Sequence, residues 1–125
     1  MGVLTALEIV SQTHSGMVRS HNEDSVGCVP TCGLVVLADG MGGYNAGEVA
    51  SCIAVSVVTS EISQRLQSAS PIDKDEVSGE ELAMWLLRDN IQKANLSIFH
   101  AAHSKQQYAG MGTTIVSGLF YDNRV

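Results

Sequence analysis

The sequence predicts an α+β chain, and three observations carry that reading. Runs at residues 4–14 and 25–39 have the pattern of strands, two later stretches carry a helical period, and a β-branched run closes the chain. In order, "LTALEIVSQTH" alternates apolar and polar residues and predicts a first strand. "SVGCVPTCGLVVLAD" predicts two strands joined around Pro30-Thr31-Cys32-Gly33 in a hairpin-like turn. The second of these, Leu34 to Ala38, is apolar on both faces and predicts the centre of a sheet. "AGEVASCIAVSVVTSEISQRLQ" sets Val49, Ile53 and Val57 on one face of a helix, against the lower helix propensity of its many β-branched residues. "SASPIDKDEVSGE" reads as a polar loop. Met84, Leu87, Ile91, Ala94 and Ile98 recur at steps of three and four, which predicts an amphipathic helix ending near His103. "GTTIVSGLFYDNRV" then predicts a strand followed by a turn at Tyr121-Asp122-Asn123.

Composition narrows the function. The chain has 125 residues, enough for one domain with a real core, and 45% hydrophobic against 16% charged residues is globular rather than disordered. A formal net charge of −6 with only 7 Lys and Arg argues against a sequence-independent grip on nucleic acid. No basic stretch suits an anionic membrane surface, runs such as "GLVVLA" are too short to span a bilayer, and the N-terminus lacks a signal-peptide pattern. The expectation is a cytoplasmic protein without a membrane partner. Three cysteines, an odd number, fit a reducing compartment better than a disulfide framework. His14, His21, Cys28 and Cys32 match no standard zinc spacing, so reduced, half-buried thiols are expected.

Three stretches concentrate chemistry. In "RSHNED", Glu23 and Asp24 are neighbours, and in a strand neighbouring side chains face opposite ways, so one looks into a site while the other braces from behind. In "VVLADGMGGYNAGEVAS", Asp39 ends an oily strand and is followed by Gly40, Gly42, Gly43 and Gly47. "GMGTT", Gly110 to Thr114, is a glycine-rich entry to the last strand. The glycines do not form a nucleotide loop: no lysine occurs between residues 35 and 60, and Gly40-Met41-Gly42-Gly43-Tyr44-Asn45 lacks the last glycine of the dinucleotide fingerprint. An acid at that strand tip repels phosphate and suits a cation, and hard oxygen ligands favour magnesium or manganese over zinc.

"GMVRSHNEDS", "LVVLADGMGGYNAGEVAS" and "GMGTTIV", in this order and spacing, resemble the N-terminal motifs of the metal-dependent, PPM-type (protein phosphatase 2C) family, in its bacterial branch. The resemblance implies part of a four-layer αββα sandwich with mostly antiparallel sheets and two long helices. It implies Arg19 as the ligand of substrate phosphate, Glu23 as a metal ligand, and Asp24 as the residue ordering metal-bound water. Asp39 would bridge two Mn2+ or Mg2+ ions, and the carbonyl of Gly40 would add a ligand. The implied reaction is hydrolysis of phosphoserine or phosphothreonine in a protein by metal-activated water, without a phosphoenzyme. Met41 follows Asp-Gly, where animal relatives carry histidine, so the proton donor to the leaving group is unassigned between water, His21 and His14.

The later aspartates of the family have no counterpart among these 125 residues. Residues 1–125 are therefore read as the N-terminal portion of one such domain, with little or no activity alone; a non-catalytic binding or regulatory half-domain is the alternative. Because the last strand ends without a returning neighbour, a homodimer or higher oligomer is expected.

Overall fold

The computed structural model describes residues 6–125, in which the chain forms a single antiparallel sheet with both helices on one face. Strands β1 (Asp24–Val29) and β2 (Leu34–Met41) form the expected hairpin. Their turn is a short 3-10 stretch, Pro30–Cys32, closed by Gly33 at φ 73°. The pairing runs from Val29 opposite Leu34 to Asp24 opposite Asp39. On its other side β2 pairs with β4 (Val116–Leu119) along Leu34–Leu37 and with β3 (Gly112–Thr113) at Gly40 and Met41. Strand β2 is thus the centre of the sheet, as its apolar run predicted.

Two expectations need correction. Leu4 and Thr5 lie outside the described residues, and residues 6–14 form no strand although their pattern alternates. Alternation marks a half-buried surface, but a strand also needs a partner edge, and here Ile9 to Gln12 border a groove on the open sheet face that Val35 and Val116 also line, with Val10 itself exposed. The terminal strand, expected as one run, is broken: β3 and β4 are separated at Thr114–Ile115. Thr114 donates its amide to the Asp39 carbonyl at 2.9 Å, outside the ladder made by β4. The turn at Asp122 and Asn123 forms as read, with φ of 48° and 56°, and Tyr121 and Arg124 exchange both backbone hydrogen bonds.

Helices α1 (Ala46–Arg65) and α2 (Leu82–Ser104) match the two helical periods, but their innermost faces are not the ones the large residues marked. In α1 the buried stripe is Ala46, Gly47, Ala50, Ser51, Ala54, Val58 and Ile62, with Val49, Ile53 and Val57 half-buried at its flanks. In α2 it is Ala83, Leu86, Asn90 and Ala94, while Met84 is exposed. Small residues sit where backbones approach most closely, and the larger ones close the sides. Helix α1 packs on β1 and β2, and α2 packs on α1. By length and a mean hydropathy of 1.2, α1 is apolar enough to cross a membrane, although its uninterrupted apolar runs are short. Its packing against the sheet and α2 accounts for that apolarity.

The core joins Leu34 and Val36 of β2 to Val58 and Ile62 of α1, Leu86 of α2, and Leu119 and Tyr121 beyond. A clasp holds the last turn to α2. The Tyr121 hydroxyl donates to Glu81 Oε2 at 2.6 Å, and Arg124 Nη2 donates to Glu81 Oε1 at 3.0 Å. These bonds, that from Tyr121 first, hold the Glu81 carboxyl below its ordinary 4.5. Below that value the unfolded chain takes up protons at Glu81 more readily than the folded one, so the clasp stabilises above about pH 4.5 and is lost as pH falls through the lowered folded value. Thermal melts from pH 7 to pH 3 should show a drop in midpoint below pH 4.5 that Glu81→Gln removes. An identical pH profile in both proteins would place the acid sensitivity elsewhere.

Candidate functional site

The end of β2 and the start of α1 cross at very short range. A Cβ on Gly40 would overlap the Gly47 carbonyl, and one on Gly47 would overlap Glu23 Oε2. Only glycine permits that approach, which explains two of the glycines crowded after Asp39. Between them the chain turns through Gly42 at φ 154° and then Tyr44 and Asn45 at φ 51° and 65°, a left-handed pair ahead of the helix. Non-glycine residues hold that conformation at a cost, here where the backbone must reverse beside the acids.

The crossing separates the acids by face. Asp24 and Asp39 are direct cross-strand partners, and both turn away from the helices. The Asp24 carboxyl is pushed up by burial first, then by the charge and hydrogen bonding of Asp39, with Arg19 pulling the other way. Two carboxylates sharing a site in this manner leave negative charge that a cation would balance. Glu23 lies behind: its carbonyl accepts the Gly40 amide at 3.0 Å, and its carboxylate packs against Gly47 with Oε2 buried and without a hydrogen-bond partner. Neighbouring positions therefore do serve opposite faces.

Other residues fix this arrangement. Asn22 Oδ1 accepts the Asp24 amide at 3.0 Å, and Asn22 Nδ2 donates to Thr13 Oγ1 at 2.8 Å, tying the strand start to the preceding loop. Thr114 holds Asp39 from the other edge: its amide donates to the Asp39 carbonyl, and its Oγ1 accepts the Asp39 amide at 3.3 Å. Composition did not single out Thr114 within the third motif; the sharp bend between β3 and β4 puts it there. Met111 of the same motif packs on Ala46 and Ala50, under the first turns of α1.

Arg19 is exposed and near enough for its charge to act on Asp24. His14 Nδ1 accepts the Gly16 amide at 2.9 Å, and His21 is exposed. Cys28 and Cys32 are half-buried free thiols, and the Cys32 Sγ donates to the Val29 carbonyl at 3.6 Å.

The site suits a divalent cation in its chemistry: an unpartnered buried carboxylate oxygen on one side of the Gly40 backbone, a carboxylate pair on the other, and oxygen donors throughout. Among the described residues no three acidic, histidine or cysteine side chains converge on one point. Such ions take six or more oxygens, more than the side chains gathered here offer, so an ion bound here would need further donors.

Comparison with known proteins points the same way. A family model described as protein phosphatase 2C matches residues 12–125. The chain is 35% identical over 117 residues to the serine/threonine phosphatase stp of Listeria monocytogenes, covering 91% of this chain and 43% of that protein. It is 34% identical over 123 residues to the serine/threonine protein phosphatase PstP of Mycobacterium tuberculosis, covering 98% and 21%. Among solved structures it resembles the PstP catalytic domain in complex with two manganese ions, with a TM-score of 0.65, 35% identity, and 87% and 41% coverage. It also resembles Stp1 from Staphylococcus aureus, with a TM-score of 0.63, 37% identity, and 89% and 41% coverage. The chain spans less than half the length of these relatives.

The glycine crossing generates a direct test. Gly40→Ala and Gly47→Ala should each destabilise by about 1–3 kcal/mol or more, since the added carbon meets backbone or a buried carboxylate. Gly43→Ala, whose Cβ would meet nothing within 4 Å, should change stability by less than about 0.5 kcal/mol. Urea unfolding that ranks Gly43→Ala with the other two would contradict the crossing.

Proposed function

The chain belongs to the protein phosphatase 2C family, and we propose that it supplies the phosphate-binding and metal-binding edge of a cytoplasmic serine/threonine protein phosphatase. The observation that carries this reading is the pairing of Asp24 with Asp39 at the strand end, backed by the unpartnered Glu23 oxygen. In this reading Asp39 and the Gly40 carbonyl would hold Mn2+ or Mg2+, and Glu23, whose carboxylate lies behind the Gly40 backbone against Gly47, would have to swing toward them to join as a ligand. The chemistry a divalent ion supplies when bound is activation of water and neutralisation of phosphoryl charge. Everything else is the work of the chain's own groups. Arg19 offers a planar pair of donors to two phosphoryl oxygens of phosphoserine or phosphothreonine in a protein. Asp24, on the face of Asp39, accepts a hydrogen bond from the attacking water and orients it. Thr114 and Asn22 keep the two aspartates in register while charge shifts beside them. Neither histidine is bound into this group, which supports water as the proton source for the leaving alkoxide.

Because so few side chains converge, this chain alone should turn over weakly. The open face of the sheet, with Leu37, Met41 and Val116 at 49%, 55% and 67% exposure, supports association with a second copy as part of the same proposal. Sedimentation showing a well-folded monomer at tens of micromolar would remove that part.

Calorimetric titration with manganese should give weak binding that Asp39→Asn reduces at least tenfold, with smaller losses for Glu23→Gln and Asp24→Asn. Unchanged manganese affinity in Asp39→Asn would overturn the assignment. For p-nitrophenyl phosphate, Arg19→Ala should chiefly raise KM and leave kcat near its starting value. A variant with unchanged KM would take Arg19 out of the substrate site. Two tightly held ions and turnover typical of complete family members, found in this chain alone, would show that the residues here suffice.

A further inference from the structure

Three contacts of matched spacing join the start of β1 to α1. The Glu23 carboxylate lies against Gly47, the Ser25 hydroxyl meets the Ser51 hydroxyl at 3.0 Å, and Gly27 lies under Val55 and Thr59. From one contact to the next the strand advances two residues and the helix four, rises of about 6.7 Å and 6.0 Å. The two elements therefore stay in step along this length. The outer contacts are contacts of shape, and only the middle one is directional.

That middle contact is fully defined. Ser51 has no solvent exposure, and its hydroxyl donates to the Glu48 carbonyl at 3.2 Å, one turn back along the helix. Each serine carries a single hydroxyl proton, so Ser25 is the donor to Ser51. A slide of β1 along α1 would break this bond and leave a buried hydroxyl oxygen without its donor, a cost that an apolar contact does not impose. Glu23 stands two residues before Ser25. Its carbonyl accepts the Gly40 amide at 3.0 Å, while its Oε2 has no partner. The backbone of Glu23 is thus held from two sides, by Gly40 of β2 and, through Ser25, by α1. Movement of its carboxylate toward Asp39 is left to its own side-chain torsions.

We propose that Ser25 and Ser51 are positioning residues: their hydroxyl pair sets the register of β1 on α1 and so fixes the point from which the Glu23 carboxylate reaches the ion site. The effect on ion binding rests on the proposed reading of that site; the register itself does not. Neither hydroxyl touches ion or substrate in this arrangement, and both act through Glu23.

Amide hydrogen exchange in the 125-residue chain, without metal, tests the register. In Ser25→Ala and in Ser51→Ala, protection of the Gly40 amide should fall about tenfold or more relative to that of Val36 in the buried centre of β2. The double variant should lose no more than the larger single loss, because the two hydroxyls form one bond. Val58→Ala, a truncation of the buried core further along α1, should lower global stability and leave the ratio of Gly40 to Val36 unaltered. Calorimetric titration with manganese tests the positioning: each single serine variant should weaken binding about threefold or more, and Val58→Ala should not. If Ser51→Ala fails to fold, the half-buried Ser25→Ala decides. An unchanged ratio in Ser25→Ala, additive losses in the double variant, or an equal effect of Val58→Ala would overturn the proposal. So would faster exchange at Gly40 with manganese affinity untouched, which would make the pair a contact between helix and sheet and nothing more. If the ratio responds as stated while even the unaltered chain binds no manganese, the register assignment stands and the ion-binding reading falls.

Discussion

The short approach of Gly40 to Gly47 governs how this structure is put together. It brings the first turn of α1 onto the backbone at the end of β2, closer than any side chain would allow. From that contact the rest follows in order. The Gly40 amide is left to bond the Glu23 carbonyl, which fixes where β1 begins. The small residues Ala46, Ala50 and Ala54 continue the close packing along the helix, and Met111 fills the gap beneath its first turns. A bulkier residue at either glycine would lift the helix from the strand and move Glu23 with it.

The two sheet faces then acquire different characters. Toward the helices lie Leu34, Val36 and Ala38, nearly free of solvent. Away from them lie Val35, Leu37, Asp39 and Met41, partly open, with Ile9 and Val10 over a groove of about 410 Å3. The carboxylate pair thus sits at the edge of an oily face. Burial there disfavours charge on Asp24, and Asp39 disfavours it further. A domain selected for stability alone would avoid such a pair. Its presence, with an unpartnered glutamate oxygen close behind, accords with the proposed ion-binding role, in which local stability gives way to a ligand.

For Glu23 and Asp24, strand periodicity decides one thing and sheet register another. Alternation along a strand implied that the two would face opposite ways, and they do. Which one shares a face with Asp39 could not be read that way. It depends on the register of β1 against β2, and a slip of one residue would exchange the two roles. The hairpin turn at Pro30–Cys32 sets that register, and with it the acid that meets Asp39.

The sequence by itself determined the order of most elements, the centrality of β2, the two helices and the three motifs that identify the family. These are carried by local periodicity and by residue types with few substitutes, such as glycine at a close approach. It misjudged residues 6–14, whose alternation fits a surface lying on a sheet as well as a strand within one. Only the tertiary structure decided which stripe of each helix is innermost, because closest approach selects alanine and glycine while hydrophobic periodicity follows the larger neighbours. It also decided that Thr114 holds Asp39 in place, since residues 75 positions apart meet only when β3 and β4 fold back on β2. Pairings between distant segments depend on the register of the whole sheet, and no local pattern encodes that register.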